Sequence, residues 1–454
     1  MRALHALSRF LDSVHIHDSL RLWGGRLVFW GGAVGVGLLA VLFAELSEFL
    51  SRLFLRGAEK YGWLPFVVTP LGGALCVWLT RRYFPGAEGS GIPQTLVEIN
   101  RAAEADAEPD NDRTTRPFLL SFRIIIGKIM VGVGALGCGF SLGREGPSVQ
   151  VGASLMNIIH GWLPASLDIR RKHLLVAGGA AGIAAAFNAP LAGIMFAIEE
   201  MTRNVEARMS GLIITAIVLA GVTAQGMKGS SGNYFGGILI IAGEGDQLLA
   251  TLLAIVVCGI SGGFFSRLMI KAARDWQGRL AGLRRIHPLR FAALCGLFIA
   301  CLGFATGGAT YGSGLEQTQA LLNAEGNLPW YFAPAKFVAT LVSYFAGLPG
   351  GIFSPSLSIG AGLGHSLAPL LGMDVTPGML LALCMAGFLA AVTQAPMTSF
   401  LIVMEMVDGY SIVFALMVVS LFSSAISKVL SPPLYATLAE QFLQPTRDKS
   451  DSTH

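Results

Sequence analysis

From Phe337 to Met404 the chain carries a single formal charge, Asp374. A second stretch, Leu174 to Ile198, carries none at all. Uncharged apolar runs of about 18 residues or more are candidates to cross a membrane, and both stretches exceed that length. The whole chain of 454 residues carries only 13% charged side chains, where an average soluble protein has about 25%. These runs predict an all-α polytopic membrane protein, and they exclude a soluble enzyme, a secreted domain and a disordered chain.

The remaining composition adds few chemical classes. A net charge of +4, with its basic residues at segment ends, gives no stripe for nucleic acid. The six cysteines lie inside apolar stretches without metal-ligand spacing, and the eight histidines form no HxxxH cluster. Neither a metal nor a cofactor is expected. Asp12 and Asp18 argue against a cleavable signal peptide. A first span is expected near Leu27 as a signal anchor, behind Arg21 and Arg26.

Residues 1–26 then form a cytoplasmic N-terminal segment, 27–435 the membrane region, and 436–454 a short polar tail with no regulatory domain. The basic segment Arg267 to Arg290 falls on the cytoplasmic side by the positive-inside bias. Polar breaks are expected around 47–60, 81–116, 168–173, 200–210, 228–234, 267–290 and 322–336.

Glycine is abundant, at 57 residues, and clusters with proline inside the apolar runs, as in Gly347, Pro349, Gly350, Gly351 and Pro355. No helix passes unbroken through such a string. Unwound backbone at membrane depth persists only where it is buried in protein or lines a cavity. The breaks also repeat. Gly143-Arg144-Glu145-Gly146-Pro147-Ser148 lies over Gly351-Ile352-Phe353-Ser354-Pro355-Ser356, and Ala189-Pro190 with Glu199 lies over Ala395-Pro396 with Glu405. Registered breaks of this kind indicate duplicated halves, roughly 27–227 and 245–435, and point to a translocation site.

At each break the first N–H groups of the new helix have no intrahelical partner and carry the positive end of its dipole. Such a terminus attracts a small anion. Partial charges also release it more readily than a lysine would. Ile352 and Phe353 supply such groups. Glu145 beside them can mimic the anion when charged and leave when protonated. The blander reading of Glu145 is an interaction with Arg144 at a helix end. Of the pair Glu199 and Glu200, the repeat-matched Glu199 is the structural candidate. Glu200 faces Met406 in the repeat and is the candidate proton handler. For both, a solvated helix end is the simpler alternative.

Four motifs, Gly89-Ser90-Gly91-Ile92-Pro93, Gly143-Arg144-Glu145-Gly146-Pro147, Gly351-Ile352-Phe353-Ser354-Pro355 and Tyr435 after Pro432-Pro433-Leu434, stand in order along the chain. With Phe187-Asn188-Ala189-Pro190 and Glu199-Glu200, the sequence resembles the CLC family of chloride channels and chloride/proton antiporters over nearly its whole length. The resemblance implies inverted-topology halves of broken helices. It also implies a homodimer with one pore per protomer in a bacterial inner membrane, with both termini cytoplasmic.

By the same resemblance, the anion site is Ser90 and Tyr435 with the backbone of Ile352 and Phe353. Glu145 is the external gate and Glu200 the internal proton-transfer group. Lys128 falls in the segment preceding the gate motif, as in relatives. Glu200 favours a chloride/proton antiporter over a passive channel of the same fold, and intact Ser90 and Tyr435 favour chloride over fluoride or nitrate.

Two features depart from the family pattern. The 101–116 loop is long, and Gln94-Thr95-Leu96 stands where some relatives carry a supporting acid, with Glu98 out of register.

Two weaker motifs are weighed against their surroundings. Gly132 to Gly137 fits GxGxxG, but inside an apolar stretch it reads as close helix packing. Gly229-Ser230-Ser231-Gly232 fits an intramembrane serine protease only if His365 reaches it. Trp23, Trp30, Trp63, Trp78, Trp162 and Trp330 read as interfacial anchors.

Overall fold

The structure, a computed structural model, describes residues 16–107, 119–163, 169–202, 211–228, 235, 247–274, 279–325, 328–371 and 377–443. Residues 1–15, most of the 101–116 loop, the Gly229–Gly232 motif and the tail from 444 lie outside the described residues.

Eighteen α-helices account for almost all the described chain. In the first half they are α1 (Ile16–Lys60), α2 (Leu64–Tyr83), α3 (Ile92–Ala107), α4 (Phe122–Gly137), α5 (Glu145–His160), α6 (Arg171–Phe187), α7 (Pro190–Phe196) and α8 (Gly211–Lys228). In the second they are α9 (Gln247–Arg274), α10 (Arg279–Ile286), α11 (Pro288–Ala305), α12 (Leu315–Leu322), α13 (Phe332–Phe345), α14 (Phe353–Leu367), α15 (Pro377–Thr393), α16 (Pro396–Met406), α17 (Val413–Leu430) and α18 (Leu434–Leu443). Five described helical stretches are long and apolar enough to cross a membrane: Trp23–Lys60, Leu64–Tyr83, Leu248–Ala273, Pro288–Ala305 and Tyr410–Leu430.

The shorter helices α5, α6, α14 and α15 lie inside, their residues almost all buried. Small residues allow this. A Cβ at Gly152 would overlap the carbonyl of Gly178, and one at Gly360 the carbonyl of Cys384. Thus α5 packs on α6 and α14 on α15 at backbone contact, the device expected where no hydrophobic drive separates helix from lipid. The 132–137 glycines serve the same end within α4, with Gly132 against Phe43 and Gly137 against Leu50. Side chains such as Leu71, Phe414 and Val429 face outward on the long helices. Of the six tryptophans named above, all but Trp30 are exposed.

Several boundaries differ from the sequence expectation: α3 (Ile92–Ala107) crosses the break expected at 81–116, including the start of the 101–116 loop, and α10 lies within the one expected at 267–290. The first helix begins at Ile16, its apolar membrane-length stretch at Trp23, and it runs through the expected polar break at 47–60 as far as Lys60. The charges of that stretch do not mark a loop. Glu45, Glu48 and Arg52 line a cavity of about 620 Å³ together with Arg144 and Glu145.

The two halves interlock through their acids. Glu405 on α16 accepts hydrogen bonds from the N–H of Leu191 (3.2 Å) and Ala192 (2.9 Å) at the start of α7. Glu199 accepts from the N–H of Met397 (3.1 Å) and Thr398 (2.8 Å), and from the Thr398 hydroxyl (2.9 Å), at the start of α16. Each carboxylate thereby caps the free N–H groups of the other half's proline-led helix. The chain enters both helices alike, with left-handed Asn188 (φ 55°) and Gln394 (φ 60°) two residues before the proline.

Candidate functional site

Three loops meet where the helices break. Gly143 and Gly351 exchange two backbone hydrogen bonds, each 2.7 Å. The N–H of Gly89 donates to the carbonyl of Leu348 (3.1 Å), and that of Gly350 to the carbonyl of Gly89 (3.0 Å). These bonds satisfy backbone that a helix would otherwise satisfy, which is what permits non-helical chain at this depth. Gly146 must lack a side chain, because a Cβ there would collide with the Ser90 hydroxyl and its carbonyl. The breaks of both halves and the Ser90 loop therefore share one small volume.

Helices α5 and α14 start alike. Ser148 N–H bonds to Arg144 carbonyl and Ser356 N–H to Ile352 carbonyl, both at 2.9 Å. Pro147 and Pro355 fall in the first turns, where a missing N–H costs no helical bond. The N–H groups of Ile352 and Phe353 lead α14 and have no acceptor within the helix.

Ser90 Oγ and Tyr435 Oη are both fully buried, yet neither has a hydrogen-bond partner of ordinary length. The two hydroxyls are neighbours, near enough for at most a long, weak hydrogen bond to each other. Leaving a hydroxyl unsatisfied in a buried place costs about 1–3 kcal/mol. Two orphaned donors beside a helix N-terminus suit an anion, which accepts from every direction and needs no donor of its own. The Tyr435 ring is held by stacking on Phe353, with centroids 6.1 Å apart and planes 10° apart. Phe187 and Phe196 pack around Phe353 at 5.9 and 6.3 Å.

Glu145 is fully buried at the start of α5. Its carboxylate crosses to α14, accepting from the Ser354 hydroxyl and from the Ser354 N–H (3.4 Å). Arg144 reaches α1, its Nη1 donating to Glu48 (3.0 Å) and to the Ala44 carbonyl (3.0 Å). The Glu145 carboxylate thus sits on the anion-attracting end of a helix, as an anion would.

Glu200 is buried in a π-helical turn, Ala197–Thr202, that continues α7. Glu199, one residue earlier, reaches the other half instead. Single-turn π segments often mark functional sites, and this one divides two adjacent acids between a cap and the interior. Glu200 is near enough to Tyr435 to interact electrostatically. Leu96 is part of the main apolar core. Glu98 is buried and committed to Arg101 (2.8 Å) and Arg171 (3.1 Å).

Residues 72–428 match the sequence profile of the family described as Voltage gated chloride channel. The chain belongs to that family.

Among relatives of this family, the H(+)/Cl(-) exchange transporter ClcA of Vibrio campbellii is 30% identical over 441 residues, covering 92% of this chain and 90% of that protein. The crystal structure of a slow cyanobacterial Cl-/H+ antiporter superposes with a TM-score of 0.77 at 25% identity, over 92% of this chain and 98% of that one. A CLC-type fluoride/proton antiporter gives 0.72 at 24% identity with the same coverage, a likeness of fold. The chain thus has the family's inverted-topology repeat of broken helices.

Several members of the site left little trace in sequence reading. Lys128 and Lys336 are separated by the same offset as Gly143 and Gly351. Lys128 Nζ donates to the Gly89 carbonyl (2.6 Å) and Lys336 Nζ to the Gly312 carbonyl (2.7 Å). The Gly312-Ser313-Gly314 turn mirrors Gly89-Ser90-Gly91, with positive φ at both glycines of each (64° and 86°; 65° and 95°). Residues other than glycine rarely adopt that backbone. The repeated Gly-Ser-Gly was the available signal. In the sequence Ser354 stands out only as part of the second Gly/Pro break, and nothing singles out Glu48. His365 bonds to the Leu328 carbonyl (3.0 Å), and its proposed serine partner lies outside the described residues.

Proposed function

We propose that this chain is a secondary transporter that exchanges chloride for protons across a bacterial inner membrane, as a homodimer with one pore per protomer and both termini cytoplasmic. Its working halves are roughly 27–227 and 245–435. It is a carrier of ions rather than an enzyme. The observation that carries the reading is the pairing of two orphaned buried hydroxyls, Ser90 and Tyr435, with a carboxylate, Glu145, seated on the N-terminus of α14.

Chloride binds between Ser90 Oγ, Tyr435 Oη and the N–H groups of Ile352 and Phe353. Above it, charged Glu145 occupies the path and excludes a second anion. Protonation removes the charge that holds Glu145 on the helix terminus, and the side chain leaves with its proton while an anion takes its place. Glu200 loads protons from the inner side. The relatives named as chloride/proton exchangers support the chemistry, and buried Glu200 supports coupling over passive conduction.

The test uses purified protein in liposomes. An outward chloride gradient is expected to drive protons inward against their own gradient, read with a chloride electrode and a pH electrode together. Chloride efflux with no proton uptake would make the protein a passive channel.

A further inference from the structure

We infer that Ser354 is a latch for the gate: its hydroxyl holds the charged Glu145 carboxylate in the ion path and so sets how often an anion can displace it. The inference rests on the proposed exchange only in taking Glu145 as the group that blocks the path. Ser354 is a positioning residue, acting through Glu145 rather than on the transported ion.

The comparison between the repeats isolates the hydroxyl. Ser354 occupies the place that Gly146 holds in the first half. There a side chain would collide with Ser90 and with Gly351. In the second half the same position has room for a serine, and the serine donates its hydroxyl to Glu145 across the break. The Ser354 N–H donates to the same carboxylate at 3.4 Å. Backbone alone would leave Glu145 only that longer bond from this residue. A hydroxyl donating to a charged acceptor is stronger than one donating to a neutral acceptor, so the latch grips the charged gate and weakens when the gate is protonated.

Charged groups near Glu145 have partners of their own. Arg144 on its own helix pairs with Glu48 on α1, and Arg52 lies 3.6 Å from Glu316 on α12. Glu45 and Glu316 complete the charged lining of the cavity. Neither of these two ion pairs includes Ser354.

The experiment is chloride efflux from liposomes for Ser354→Ala, Ser354→Cys and Ser354→Thr, each alone and with Glu145→Ala. Ser354→Ala is expected to speed efflux about five- to tenfold at neutral pH and to change it little at acid pH. Ser354→Cys, close to serine in shape but a weak donor, should speed it likewise, which covers the case that the alanine variant does not fold. Ser354→Thr, which keeps the hydroxyl, should keep the slow rate. With Glu145→Ala there is nothing to latch, and neither Ser354→Ala nor Ser354→Cys should have a further effect. Equal acceleration in both backgrounds, or none in either, overturns the latch. Efflux without proton uptake in the unmutated protein defeats the exchange reading instead, while the Ser354 comparison is still read from chloride alone.

Discussion

Single side chains decide what the ion meets. Ser90 and Tyr435 bury hydroxyls with no hydrogen-bond partner of ordinary length, and in the proposed site each net hydrogen bond to the ion is worth about 0.5–1.5 kcal/mol, or more because the acceptor is charged. Tyr435→Ala removes one donor and also the ring stacked on Phe353. Calorimetric chloride affinity is expected to fall about tenfold. Ser90→Pro removes the other donor and should raise nitrate transport relative to chloride. Unchanged chloride affinity in the first and unchanged selectivity in the second would place the anion elsewhere. Glu145 makes a separate prediction, because its role needs a titratable charge and not only an acceptor. Glu145→Gln is uncharged at every pH, so chloride flux should persist, proton movement should cease and the pH dependence of flux should flatten. Continued uphill proton transport in that variant removes Glu145 from the mechanism.

At the scale of the helix, the exchange of caps between Glu199 and Glu405 joins the two halves at the starts of α7 and α16. An N-terminal cap contributes about 0.5–2 kcal/mol. Glu405→Ala and Glu199→Ala are each expected to lower the unfolding temperature in detergent, with chloride/proton coupling kept by the molecules that remain folded. A normal unfolding temperature in both would mean that the caps add nothing. The sequence already marked these two acids as partners in a repeat, standing alike after matching prolines. It could not show that each serves the opposite helix, because a contact between the two distant halves of a chain leaves no local periodicity. The same limit hid Glu48, whose charge resembled a polar break until α1 placed it beside Arg144. The breaks at Gly143, Gly351 and Ser90 were legible for the opposite reason: glycine, proline and a lone carboxylate inside apolar runs have few other uses. The Gly312-Ser313-Gly314 turn escaped because its distance from Gly89-Ser90-Gly91 is not the one that relates Gly143 to Gly351. The halves differ in loop length there, and a fixed offset passes over it.

Across the whole molecule, the proposed exchange requires two ions to share one gate without sharing one path. The two halves converge at Ser90, Gly146 and Gly351, where the proposed anion route passes. A proton route through Glu200 would have no such symmetry, since Glu200 belongs to the first half and Met406 stands at its place in the second. The fold therefore does not need an acid there, yet it buries one, in a π turn that separates it from the capping Glu199. Leu96 offers no second carboxylate, and Glu98 is held by two arginines, which supports the proposal that Glu200 collects protons. Glu200→Gln leaves Ser90, Tyr435 and the α14 terminus intact. It should retain chloride flux near the unmutated rate and lose chloride-driven proton uptake altogether. Glu199→Gln, in which one amide oxygen can still accept at the start of α16, should retain both. Paired chloride and proton recordings on the two variants separate the roles. Loss of coupling in Glu199→Gln together with normal coupling in Glu200→Gln would show that the cap and the proton carrier are reversed. Loss of chloride flux in Glu200→Gln would place that residue in the anion path, and the two routes would then be one.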